Sequence, residues 1–152
     1  MDIEGRLAEL NITLPAPPSP VGAYVPAVCS GKLVMTSGQL PTRDGELLAA
    51  GKVPTDLTVE QAAAAARQAA LNALAALAGA AGGLESVARI CRVNVYVASA
   101  PGFTDQAVVA NGASELLVDL LGDAGRHTRC AIGVAALPLN APVELDIVAE
   151  LA

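Results

Sequence analysis

Tryptophan is absent, and Tyr24, Tyr96 and Phe103 are the only aromatic residues, 2% of the 152-residue chain. Stacking platforms for single-stranded nucleic acid need more ring surface than this. Basic residues are scarce too. Nine Lys and Arg stand against 15 Asp and Glu, and the formal charge of −6 repels phosphate backbones. Nucleic acid is therefore not an expected partner. One histidine, His127, makes no metal site alone, lies beside Arg126 in a polar stretch, and reads as a solvated loop residue. The three cysteines, Cys29, Cys91 and Cys130, sit singly in apolar runs without zinc-like or disulfide-framework spacing. They are expected to be reduced core thiols, and no metal site is expected. The opening MDIEGRLAEL lacks the basic-then-apolar order of a secretory signal, which predicts a cytoplasmic location. The alanine-rich stretch 62–83 is interrupted by Arg67, Gln68 and Asn72, so a membrane helix is not expected.

What the chain does have is apolar content: 53% hydrophobic residues and a mean hydropathy of +0.51, enough for one core in a single domain. Much of it is alanine, which packs backbones closely but fills little volume, a composition suited to a tight oligomer. Residues 1–14 predict a short amphipathic helix with Ile3, Leu7 and Leu10 on one side, stopped by the proline-rich LPAPPSP. Residues 1–20 read as an arm and 21–152 as the domain. Two strands, 25–30 and 32–39, surround a tight turn at Ser30 and Gly31, and residues 42–54 read as an exposed loop. Thr58 and Gln61 form a capping box for a helix to about Ala81, with Val59, Ala63, Ala66, Ala70, Leu74 and Leu77 on its apolar face and Gln61, Arg67, Gln68 and Asn72 opposite. Gly82 and Gly83 end it. Strand 87–99 alternates, with Arg89, Cys91, Val93, Val95 and Val97 on one side and Ala88, Ile90, Arg92, Asn94 and Tyr96 on the other. A helix over 103–121 and strands 128–136 and 143–151, joined by a proline-bounded turn, complete the order β-β-α-β-α-β-β. This is an α+β fold with two helices packed on one face of a mixed sheet.

The strand after Thr128 carries the chemical interest. Cys130, Ile132 and Val134 form a bulky face expected to meet the helices, while Arg129, Ala131, Gly133 and Ala135 form a face of small residues expected to meet another subunit. Arg129 at such an edge needs an acid or an anionic ligand. Glu144 alternates out of the Val143, Leu145, Ile147 face and is expected on the same side as Arg129. Two readings remain open: a structural Arg129–Glu144 ion pair, or an arginine holding a substrate carboxylate while Glu144 orients a water. Ser37 lacks a G-x-S-x-G context, and Gly79–Gly83 ends a helix instead of opening one, which excludes a serine hydrolase elbow and a phosphate loop.

Four segments together resemble one family: GAYVPAV at 22–28, G-x-L-V-x-T-S-G-Q-L-P at 31–41, N-x-x-x-E from Asn111 to Glu115, and R-x-x-I-x-V-x-x-L-P-x-x-A-x-V-E from Arg129 to Glu144. The chain is similar over residues 22–150 to the RidA (YjgF) family, the reactive-intermediate deaminases once described as translation-inhibitor endoribonucleases, and its long N-terminal arm resembles a less characterised branch. The resemblance implies a chorismate-mutase-like subunit and a homotrimer with clefts between neighbouring subunits. It implies that Arg129 binds the carboxylate of a 2-imino acid and Glu144 activates water, with Tyr24, Ser37, Asn111 and Ala131 at substrate-binding positions. No cofactor is implied. Many members carry cysteine where this chain has Ala131, which sets aside a thiol role. The expected activity is hydrolysis of 2-aminoacrylate or 2-iminobutyrate to a 2-keto acid and ammonia. The alternatives are a small-carboxylate-binding or chaperone-like trimer and, against the charge, an endoribonuclease.

Overall fold

The computed structural model describes residues 2–19 and 22–152. The expected boundary between arm and domain, at residues 20 and 21, lies outside them. Helix α1 (Ile3–Glu9) is capped by the Asp2 carboxylate, which accepts from the Gly5 amide at 2.8 Å. Ile3 is 1% exposed, Leu7 and Leu10 lie against the core, and Arg6 Nε donates to the Asp119 carbonyl at 2.8 Å. The first helix is thus tied to the body of the fold.

Strands β1 (Ala27–Ser30) and β2 (Leu33–Thr36) form a hairpin whose two-residue turn begins at Gly31, with a φ of 59°. Residues 42–54, expected as an exposed loop, contain a second small hairpin of β3 (Thr42–Arg43) and β4 (Glu46–Leu47). Its turn is Asp44–Gly45, both at positive φ, a strong hairpin signal. The segment then dives inward: Val53 is fully buried and exchanges backbone hydrogen bonds with Ala98 and Ala100.

Helix α2 (Val59–Ala81) starts at the predicted capping box, Thr58 with Gln61, and ends at Gly82 in the left-handed conformation. The face opposite the apolar one is divided: Gln61 is exposed and Arg67 half-buried, while Gln68 and Asn72 are buried. Gln68 is 5% exposed and Asn72 7%. The amide of Asn72 donates to the carbonyls of Leu40 and Thr42 at 2.8 and 2.9 Å and accepts from Gln68, whose carbonyl oxygen accepts from Arg43. The two amides fasten the β3–β4 segment onto the helix, so their part of the polar stripe covers loop backbone and not water.

Strand β5 (Val87–Ala98) and strand β7 (Val143–Leu151) form the centre of a five-stranded sheet of order β1-β2-β7-β5-β6, in which β5 and β6 (Thr128–Val134) are parallel and all other pairs antiparallel. Between them in sequence, α3 (Gln106–Leu121) lies beside α2 on one face of the sheet. Two register shifts against β7 change the phase of β5, so Ile90 joins Val93, Val95 and Val97 in the core while Arg89 is exposed. Strict alternation could not foresee this. The core is Val34, Ile90, Val93, Leu145 and Ile147 from the sheet against Leu74, Leu77, Leu116, Leu117 and Leu120 from the helices, with alanines between them. The cysteines are free, but none is a core residue: Cys29 is exposed, and Cys91 and Cys130 are half-buried.

The buried amide cluster gives the first test. Asn72→Ala removes its hydrogen bonds and leaves buried carbonyls unmatched, an expected loss of about 2–3 kcal/mol. Urea unfolding at fixed protein concentration should show a clear fall in midpoint for Asn72→Ala and almost none for Arg67→Ala.

Candidate functional site

The faces of β6 are the reverse of the expected ones. Paired residues on neighbouring strands share a face, and Arg129, Ala131 and Gly133 pair with Val93, Val95 and Val97, all fully buried beneath the helices. Cys130 and Ile132 pair with Asn94 and Tyr96 on the opposite face, where Ile132 is 44% exposed. A Cβ on Gly133 would crowd the side chains of Ser99 and of Gln106, the first residue of this chain's own α3. Bulk marked the wrong side.

Glu144 pairs with Tyr96 and therefore lies on the outer face, across the sheet from Arg129. The expectation that the two point to one side is overturned, and so is the ion pair: the ion pairs among the described residues are Arg6–Glu9 and Arg126–Asp123. The structure brings the candidate residues together in two separate groups.

The first group surrounds Arg129. Its Nη1 donates to Asn111 Oδ1 at 2.9 Å and to Ser114 Oγ at 3.0 Å. Asn111 and Ser114 are three apart on α3, so one helical face presents both oxygens. Both Nη1 protons are engaged by neutral acceptors, and no carboxylate neutralises the charge. Nη2 and Nε have no hydrogen-bond acceptor among the described residues. Ala131 follows on the same face, against the core. His127, expected to be a solvated loop residue, is half-buried with both ring nitrogens engaged, Nδ1 at 2.6 Å from the Gly125 carbonyl and Nε2 at 3.0 Å from Ser114 Oγ. The sequence reading missed Ser114, although its i, i+3 spacing from Asn111 was visible.

The second group surrounds Glu144. A cleft of about 250 Å³ is lined by Tyr24, Gly38, Gln39, Thr42, Pro138 and Glu144, with residues of the proline-rich arm. A side chain on Gly38 would displace the Glu144 carboxylate, so the glycine leaves that carboxylate its place in the cleft. Ser37 does not offer its hydroxyl to the cleft as a nucleophile: Oγ donates to the Val25 carbonyl at 2.6 Å, and its amide donates to Pro26 at 2.8 Å. It thereby holds the Tyr24 segment beside β2. Burial, with the Asp146 carboxylate two residues along the same face, raises the Glu144 carboxyl above the ordinary carboxylate value. Asp146 itself accepts from Asn94 Nδ2 at 2.8 Å. Burial and Asp146 also raise the Tyr96 phenol.

Among the described residues no three His, Cys, Asp or Glu side chains are grouped to hold a metal ion, and no helix is long and apolar enough to cross a membrane. The outer face of the sheet carries exposed Val28, Leu33, Met35 and Ile132.

The subunit is an α+β scaffold with two helices on one face of a mixed sheet and, among the described residues, an arginine without a carboxylate partner at the sheet edge. Residues 4–151 match the family model described as "YjgF/chorismate mutase-like, putative endoribonuclease". The chain belongs to that family, the RidA/YjgF proteins. It is 45% identical to protein TCP17 of Trypanosoma cruzi, over 98% of this chain and 94% of that one. Among solved structures, Atu1372 of Agrobacterium tumefaciens, of unknown function, superposes with a TM-score of 0.92 at 44% identity, covering 99% of this chain and 92% of that one. Escherichia coli TdcF with bound serine superposes with a TM-score of 0.65 at 26% identity, covering 92% and 96%.

A carboxyl raised on folding holds its proton to higher pH in the native state than in the unfolded one. Glu144 therefore detracts from stability above its native titration, and this penalty vanishes below the ordinary carboxylate range. Carboxyl-carbon NMR should place its midpoint above that range, and Asp146→Asn should lower it. Glu144→Gln should be the more stable protein at neutral pH and lose its advantage in acid.

Proposed function

We propose that the chain is a hydrolytic deaminase that converts 2-imino acids such as 2-iminobutyrate, and the enamine 2-aminoacrylate through its imine, to 2-keto acids and ammonia. The observation that carries this is the unneutralised Arg129, braced through Nη1 with Nη2 and Nε left to receive a planar carboxylate. With the carboxylate held, the electrophilic imine carbon takes up water. Glu144, whose raised pKa brings it nearer neutrality, accepts a proton from that water and returns it to the nitrogen. The carbinolamine then collapses: its hydroxyl proton passes to the amine, the C–N bond breaks, ammonia departs and the carbonyl forms. The work required is positioning and proton transfer.

Arg129 and Glu144 lie on opposite faces of one subunit, so this reading needs a second copy. In a homotrimer, the Arg129–Asn111 group of one subunit would meet the Tyr24–Gly38–Glu144 cleft of its neighbour. The exposed apolar outer face supports such an assembly. The serine held by TdcF presents the same kind of carboxylate. A second reading, binding of small carboxylates without turnover, is favoured by Ala131, which leaves no thiol beside the arginine. The endoribonuclease reading is opposed by the charge of −6 and the near absence of aromatic surface.

The assay generates 2-iminobutyrate from threonine with a dehydratase and follows 2-ketobutyrate. Wild type should accelerate its formation. Arg129→Ala should lose roughly 10²-fold or more in kcat/KM with its oligomeric state intact, as removal of a charged clamp implies. Mixing Arg129→Ala with Glu144→Gln and allowing subunits to exchange should restore activity, because mixed assemblies then contain wild-type clefts. An active wild type without restoration on mixing would place both groups in one copy, and calorimetric binding of 2-ketobutyrate without acceleration would favour the non-catalytic reading.

A further inference from the structure

Behind Arg129 runs a chain of hydrogen bonds in which every proton has a determined place. The Gly125 carbonyl can only accept, so His127 Nδ1, 2.6 Å away, must carry the proton. In the neutral ring Nε2 is then a lone pair, and the hydrogen bond of 3.0 Å to Ser114 requires the serine hydroxyl to donate. With its proton committed to the ring, Ser114 Oγ turns lone pairs toward Arg129 Nη1, which donates at 3.0 Å. A serine without the histidine could rotate its proton toward the guanidinium and lose this contact.

The histidine is placed for the task by the segment between α3 and β6. Gly125 packs so closely on α3 that a Cβ there would run into the Leu117 backbone, and this contact holds its carbonyl beneath the imidazole.

We propose that Ser114 and His127 are positioning residues that brace the Arg129 guanidinium in the orientation that receives the substrate carboxylate; the proposal rests on the reading of Arg129 as a carboxylate clamp. A neutral brace suits that purpose. An acid in the position of Ser114 would fix the arginine equally well, but it would compete with the ligand for the charge. Asn111 and Ser114 together saturate Nη1 and stop the fork from rotating, leaving the three protons of Nη2 and Nε without an acceptor among the described residues.

Because His127 is the only histidine in the chain, its imidazole is a clean spectroscopic probe. Nitrogen-15 NMR of the wild type in mildly alkaline buffer should show Nδ1 protonated and Nε2 unprotonated. Ser114→Ala should move the Nε2 resonance by removing its donor. The same variant should raise KM for 2-iminobutyrate about tenfold with kcat largely retained, the signature of weakened uniform binding by one neutral hydrogen bond. Ser114→Thr, which keeps the hydroxyl, should restore KM, and thermal unfolding of the three proteins separates this effect from misfolding. An Nε2-protonated ring in the wild type, or a Ser114→Ala variant of unchanged KM, would overturn the brace while leaving the deaminase reading in place. The predicted tautomer and Nε2 shift in a wild type that turns over no imine would overturn the deaminase reading instead; the brace then stands or falls on whether Ser114→Ala weakens calorimetric binding of 2-ketobutyrate.

Discussion

The parallel pairing of β5 with β6 is the constraint on which the rest depends. It sets Arg129 opposite Val93, on the face roofed by α3, and the antiparallel pairing of β5 with β7 sets Glu144 opposite Tyr96, on the other face. One residue of slip in either ladder would exchange these sides. A slip of β5 would bring Val93 and Val95 out from beneath the helices, and a slip of β7 would do the same to Leu145 and Ile147, each forfeiting about 1.5–3 kcal/mol of burial. On β6 the inner face is Arg129, Ala131 and Gly133, so the register there is supported by the hydrogen bonds of Arg129 to α3.

The shortage of large side chains follows from the same geometry. Helix α2 buries alanine on nearly all sides, and α3 comes so close to α2 that a Cβ on Gly112 would run into the Ala63 backbone. Close approach of this kind brings Asn111 and Ser114 within hydrogen-bonding reach of a strand side chain. At Gly133 a Cβ would meet the side chain of Gln106 at the start of α3, so the absence of a side chain there leaves Gln106 its place.

Periodicity revealed the elements well: the capping box, the glycine stop of α2 and the order of the main strands and helices appear in the structure at or near the positions read from the residues. Faces were less legible, for identifiable reasons. Gln68 and Asn72 looked solvent-facing because a helical projection cannot show that the β3–β4 hairpin will supply carbonyls to them. Residues 129–134 looked inverted because volume, used as a guide to the core, fails where α3 of the same chain covers the face that carries the small residues. Arg129, Asn111 and Glu144 could be named from the family resemblance. Their division between two faces could not, since that depends on register, and the roles of Ser114 and His127 depend on a contact between α3 and the segment preceding β6 that no local spacing encodes.

Division of the candidate site between two faces has a consequence for how activity would be linked to assembly. Within one subunit Arg129 and Glu144 lie on opposite faces of the sheet, so on the proposed reading a lone subunit could not bring both to one ligand. In the proposed assembly, the energy for joining the halves comes from the outer face of the sheet, where Val28, Leu33, Met35 and Ile132 are exposed beside a polar row of Asn94, Tyr96, Glu144 and Asp146. Covering the apolar members stabilises contact between copies, while the neighbouring carboxylates resist desolvation and keep Glu144 raised toward neutrality. The pKa shift needed for proton transfer and the burial needed for association would then arise from one surface, which explains why the acidic pair sits beside the apolar patch instead of next to Arg129, where it would neutralise the charge that the substrate must find.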